Sequence, residues 1–132
     1  MKTVMAFGTF DIFHPGHESY FTQAKKLGDI LVVVVARDEN VLKIKNQAPK
    51  NDEEARKKIL EASGLADEVV LGNLKNRYVV IEKFRPELIA LGYDQKVDEA
   101  ELKNKLTELG LKTKIVRLKS YHPEKYKSSK LR

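Results

Sequence analysis

The chain has 132 residues, a formal net charge of +6, 42% hydrophobic and 33% charged residues, and no cysteine. That is the size of one domain, 1–132, with a single sizeable core, and it excludes disulfides and thiol nucleophiles. No apolar run approaches the ~20 residues of a membrane span, and Met1-Lys2-Thr3 does not open a signal peptide, so a cytoplasmic protein is expected.

Thr3–Phe7 reads as a first strand and Gly16–Leu27 as the helix after it. Ile30–Ala36 is an unbroken apolar run and reads as a strand buried on both faces. Val41–Asn51, with Lys43, Lys45, Pro49 and Lys50, is the longest polar connection and reads as an active-site loop. Asp52 can cap a helix over Asp52–Ala62, whose inward face is read as Ala55, Ile59 and Ala62. Glu68–Leu71 is the third strand and Asn76–Lys83 the next helix. Within it Tyr78-Val79-Val80-Ile81 is apolar on more than one face. Both faces are either buried within one chain or one of them is covered by a symmetric partner, giving a homodimer.

Pro86 separates that helix from the strand Leu88–Leu91. Asp98 and Glu101 form a capping box for a helix over Asp98–Leu109; Leu102, Leu106 and Leu109 are its core stripe and Gly110 ends it. Thr113–Leu118 is the last strand. Strands alternating with helices imply βαβ units. The expected architecture is α/β: a Rossmann-like, doubly wound parallel sheet of five strands with helices on both faces. A basic tail, 119–132, follows. From Arg117 to Arg132 six residues are basic and one is acidic, so the net charge is concentrated there.

Open parallel sheets bind ligands beyond the carboxyl ends of their strands. Four segments follow such ends: Gly8–His17, Ala36–Asn51, Gly72–Lys75 and Gly92–Lys96. The first ends in His14-Pro15-Gly16-His17, two imidazoles about one helical turn apart where a strand gives way to a helix. Rings, backbone N–H groups and the positive end of the helix dipole converge there, which suits phosphate oxygens. Neither a Walker loop nor a G-x-G-x-x-G fingerprint is present, so phosphate binding falls to this turn. A zinc site is the competing reading of two histidines. It needs further ligands, and the chain offers no cysteine and only the distant His122.

The segment Gly8-Thr9-Phe10-Asp11-Ile12-Phe13-His14-Pro15-Gly16-His17 resembles the GTFDxxHxGH signature of the cytidylyltransferase-like nucleotidyltransferases. That resemblance implies transfer of a nucleotide from a nucleoside triphosphate to a phosphorylated acceptor. The acceptor oxygen attacks the α-phosphorus in line and pyrophosphate leaves. It further implies that His14 and His17 hold the α-phosphate, that the backbone of Gly8, Thr9 and Phe10 lies along the phosphates, and that Gly16 admits their close approach. Asp11 either orients the turn or helps to hold Mg²⁺. Lys43 or Lys45 resembles the family's phosphate-reaching lysine. Arg56 matches its helical arginine and either binds the β- or γ-phosphate or is an exposed residue paired with Asp52. Tyr93 and Asp94 match the segment that positions the nucleoside. Lys127, Ser128 and Ser129 resemble a degenerate second signature that closes over the triphosphate, with Arg117 and Lys127 as candidates for its missing arginine.

Leu91–Glu99, the Lys-Ser-Ser-Lys tail and the short length are most similar to the archaeal FAD synthases, which implies ATP as donor and FMN as acceptor. A CTP-dependent enzyme acting on glycerol 3-phosphate is the alternative, although this chain lacks the tryptophan usual in those enzymes. The family also implies a homodimer. The basic tail leaves a non-catalytic nucleotide- or RNA-binding module as a third reading. No RNA-binding signature is present, so no nucleic-acid partner and no membrane partner is expected.

Overall fold

A computed structural model describes residues 2–11, 15–73, 76, 78–92, 95 and 97–119, with the side chains of residues 44 and 45 excepted. Ten elements follow one another along it: β1 (Thr3–Gly8), α1 (Pro15–Lys25), β2 (Ile30–Val35), α2 (Asp38–Lys45), α3 (Glu53–Ser63), β3 (Glu68–Leu71), α4 (Tyr78–Phe84), β4 (Leu88–Leu91), α5 (Glu99–Glu108) and β5 (Lys114–Arg117). All strand pairings are parallel, and the sheet order is β3-β2-β1-β4-β5. The chain winds outward one way from β1 to β3, then restarts at β4 on the other side of β1. The switch in strand order therefore lies between β1 and β4, where such sheets open a crevice.

The period of two along each strand sorts side chains onto two faces. Val4, Ala6, Leu31, Val33 and Val35 meet Phe21 and Ala24 of α1 and Leu60 of α3 on one face. Met5, Val32, Val34 and Ile89 meet Val80 and Ile81 of α4 and Leu102 and Leu106 of α5 on the other. Both faces are thus covered, which is why β2 is apolar without alternation. Each fully buried valine or leucine contributes about 1.5–3 kcal/mol.

Local signals set the helix ends. Pro15 occupies the first helical position, where its missing N–H costs nothing. Asp52 Oδ1 accepts from Ala55 N at 2.7 Å, and Asp98 Oδ1 from Glu101 N at 3.0 Å. Gly64 and Gly110 leave α3 and α5 at φ of 72° and 74°, values an L side chain resists.

Two expectations are corrected. Val41–Asn51 is not one loop: its first part belongs to α2, and the loop begins at Asn46, which caps that helix at φ 55°. The helix is short, only Val41 among its described side chains is buried, and Arg37 supplies no side-chain cap, so little of it shows as periodicity. On α3 the inward face is Arg56 and Leu60, while Ile59 is 41% exposed. An apolar stripe drawn through Ala55, Ile59 and Ala62 misses it because the residue at the centre of the true face is an arginine.

Candidate active site

Beyond β1 the chain turns sharply at Phe10, whose φ is 53°. Its ring folds back over Gly8, and a Cβ on Gly8 would lie 2.5 Å from Phe10 Cζ. The buried Phe10 ring meets Phe21 at 5.0 Å and stands edge-on to His17, 5.1 Å between centroids at 87°. His17 thus sits in the first turn of α1, propped by the aromatic core. Gly16 precedes it in the same turn. Gly8 is required here by a neighbouring ring, a role the sequence did not separate from phosphate contact.

Asp11 and Arg56 tie this turn to the next loop. Both Asp11 oxygens accept backbone amides, Oδ2 from Lys50 N and Oδ1 from Asn51 N, each at 2.8 Å. Asn51 Nδ2 donates back to Asp11 O at 2.6 Å. Of its two sequence readings, the geometry favours Asp11 orienting the turn. Arg56 is fully buried. Its Nη1 donates to Thr9 O at 2.8 Å, its Nε to Asn51 O at 3.1 Å, and its Nη2 to Asp38 Oδ1 at 2.6 Å. The reading of Arg56 as an exposed partner of Asp52 is therefore wrong. Each nitrogen of this guanidinium donates within the protein, so the arginine ties Thr9, Asn51 and Asp38 together.

On the β2 side, Arg37 donates from Nε to Gly72 O at 2.8 Å and from Nη1 to Glu53 Oε2 at 2.6 Å, while Glu53 Oε1 accepts Asp38 N. Lys43 is exposed on α2, 3.5 Å from Glu39. Lys45 is the last residue of the same helix.

On the β4 side, pairing of β1 with β4 ends at Ala6 and Ala90. Tyr20 Oη donates to Ala90 O at 2.6 Å and accepts from Phe7 N at 3.3 Å. Burial pushes its phenol well above the ordinary tyrosine value, so it stays neutral. Gln95 Nε2 donates to Phe7 O at 2.7 Å, and its Oε1 accepts Gly92 N at 2.7 Å. Arg117 Nη1 donates to Gly92 O and Gln95 O at 2.8 and 2.6 Å, and Nη2 to Glu99 Oε2 at 2.6 Å. Arg117 is therefore committed to the turn after β4, not free as a substitute for the signature arginine. Gln23 holds the root of the tail, exchanging hydrogen bonds of 3.0 and 3.1 Å with the backbone of Lys119.

The structure thus gathers His17, Gly16, Gly8, Thr9, Phe10, Asp11 and Arg56 at the carboxyl edge of the sheet, while Lys43 is exposed on α2 beside Glu39. His14, Tyr93, Asp94, Lys127, Ser128 and Ser129 lie outside the described residues, as does the Lys45 side chain. Asn51, Tyr20, Gln95 and Arg37 belong to the same edge and were not singled out from sequence. Apart from the Arg37–Glu53 pair, most of their contacts are to backbone atoms, which leave no spacing signature.

A family model described as cytidylyltransferase-like matches residues 5–132. The FAD synthase of Aciduliprofundum boonei is 47% identical over 92% of this chain and 80% of its own length. That of Thermoplasma acidophilum is 43% identical over 100% of this chain and 92% of its own. Among solved structures, a Thermoplasma volcanium protein described as a lipopolysaccharide core biosynthesis protein superposes with a TM-score of 0.87 at 44% identity, covering 92% of this chain and 98% of that one. With His17 beside Phe10 at the carboxyl edge of a doubly wound sheet and relatives of this identity along nearly its whole length, the chain belongs to the cytidylyltransferase-like family and stands with its FAD synthases.

Proposed function

We propose that the protein is a nucleotidyltransferase that transfers AMP from ATP to FMN, giving FAD and pyrophosphate. FAD synthases 42–48% identical over most of the chain carry this reading, and the phosphate-suited turn at Gly8–His17 supports it. The acceptor phosphate is already anionic, so no enzyme nucleophile is needed. Catalysis then consists of alignment for in-line attack and stabilisation of charge growing on the α-phosphate oxygens. His14 and His17 supply that stabilisation, helped by the amino end of α1. Arg56 and Asp11 act one step back, by holding Thr9 O and the 50–51 backbone in register. The lysines of α2, Lys43 and Lys45, offer cations for the outer phosphates.

A divalent ion, Mg²⁺ in this proposal, comes with the triphosphate as part of the substrate, neutralising charge the side chains leave uncompensated. A homodimer fits α4, where Val79 remains 48% exposed while Val80 and Ile81 are buried; sedimentation at the mass of one chain would exclude it.

Pyrophosphate release separates the readings. ATP with FMN should support turnover; CTP with glycerol 3-phosphate should not. Turnover confined to the second pair would establish the cytidylyltransferase alternative, and turnover with neither would leave only a binding module.

A further inference from the structure

Phe10 stands in a conformation that its side chain resists. Its φ of 53° is open to glycine, and a bulky residue is rarely found there. Such strain persists only where the surroundings over-determine it, and here they do so from three directions. Just before Phe10, the carbonyl of Thr9 accepts Arg56 Nη1 at 2.8 Å. Just after it, the carboxylate of Asp11 is fixed by the amides of Lys50 and Asn51. The ring itself is buried, with its centroid 5.0 Å from that of Phe21 and 6.2 Å from that of Tyr20.

What the strain achieves is a ring in one particular place. It lies over Gly8, where a Cβ would come 2.5, 2.8 and 2.9 Å from three ring atoms. It also stands perpendicular to the His17 imidazole, at 87° and 5.1 Å between centroids. A ring so placed leaves the imidazole little freedom to turn about its own bonds. Gly8, Phe10 and His17 thus form one steric unit, in which the glycine makes room for the ring and the ring sets the imidazole.

We infer that Phe10 is a positioning residue that holds His17 in its working orientation, and that Gly8 serves the same unit by lacking a side chain. The inference rests on the nucleotidyltransferase reading above, in which His17 stabilises charge on the α-phosphate. A donor to developing charge acts best when its direction is fixed beforehand. Loss of that direction is felt in the transition state and hardly in the ground state, so it lowers kcat and spares affinity.

Steady-state kinetics with ATP and FMN, beside calorimetric titration with inorganic tripolyphosphate, test this in the full chain. Phe10→Leu keeps apolar bulk and loses the flat ring. Its kcat should fall about tenfold, a fraction of the loss expected when a whole donor goes. Its KM for ATP and its tripolyphosphate affinity should stay within about twofold of the parent. Gly8→Ala drives the ring from its place and should act in the same way, so it serves where Phe10→Leu folds poorly. Leu60→Ala, on α3 in the same buried apolar cluster, is the control; it should lower Tm and leave kcat unchanged. Unchanged kcat in Phe10→Leu would overturn the inference, as would a loss of kcat in Leu60→Ala equal to that in Phe10→Leu. Weakened tripolyphosphate binding with kcat retained in Gly8→Ala would overturn it too, by making Gly8 a phosphate contact. A parent protein without turnover would instead refute the nucleotidyltransferase reading itself.

Discussion

Replacing Arg56 with methionine removes a buried guanidinium while nearly keeping its length. Two part-buried carbonyls, Thr9 O and Asn51 O, lose their donor, and Asp38 loses its partner. An acceptor stranded in this way costs about 1–3 kcal/mol; part-burial places both near the lower end. The Asp38 side chain is 38% exposed, so solvent screens that pair and its loss costs about 1 kcal/mol. The total is about 3 kcal/mol. Unfolding entropy of about 2.1 cal/mol/K per residue makes this a fall of about 10 °C in Tm for a chain of 132 residues. Thermal denaturation followed by circular dichroism reads it directly. Tripolyphosphate affinity should fall too, because the two loops separate. A variant that melts within about 3 °C of the parent yet no longer binds tripolyphosphate would refute the reasoning and make Arg56 a direct phosphate ligand.

His17→Ala should fold and lower kcat by about 10²–10³, the usual loss for one preorganised donor to developing charge; near-normal turnover would remove His17 from the mechanism. Excess chelator should abolish turnover and added Mg²⁺ restore it, as expected if the metal accompanies the triphosphate. At the opposite edge of the sheet, Asp67 accepts from Lys25 Nζ and from Leu31 N, which together hold its carboxyl below the ordinary aspartate value. Its stabilisation is therefore present above about pH 4 and lost as pH falls through the depressed value. Asp67→Asn should cost under about 1 kcal/mol at neutral pH, given the exposure of this pair, and should flatten the acid limb of a Tm-against-pH curve; an unchanged limb would contradict that assignment.

Much of the fold was legible because its elements carry their own punctuation. The run Ile30–Val35 has no polar residue, so burial on both faces is written in composition. Asp52, Asp98 and Gly110 mark helix ends through hydrogen bonds and backbone angles that depend on residue type. Ends elsewhere moved by a residue or two, as frayed termini do. What resisted reading was polar burial. Arg56 looks like a surface residue until its partners in three segments are known, and it concealed the inward face of α3. The same limit applied to the site. His17 and Asp11 stand in a recognisable motif, whereas Asn51 and Gln95 act by bonding backbone atoms brought near only by the fold.

The central claim is that an acceptor phosphate attacks the α-phosphorus of ATP. Incubation with FMN and ATP radiolabelled at the α-phosphorus, with product separation, tests it most directly. The account predicts that label passes into FAD in step with pyrophosphate release, and that riboflavin, lacking the phosphate, accepts none. Pyrophosphate released while label stays in AMP, or label accepted only from CTP, would contradict it.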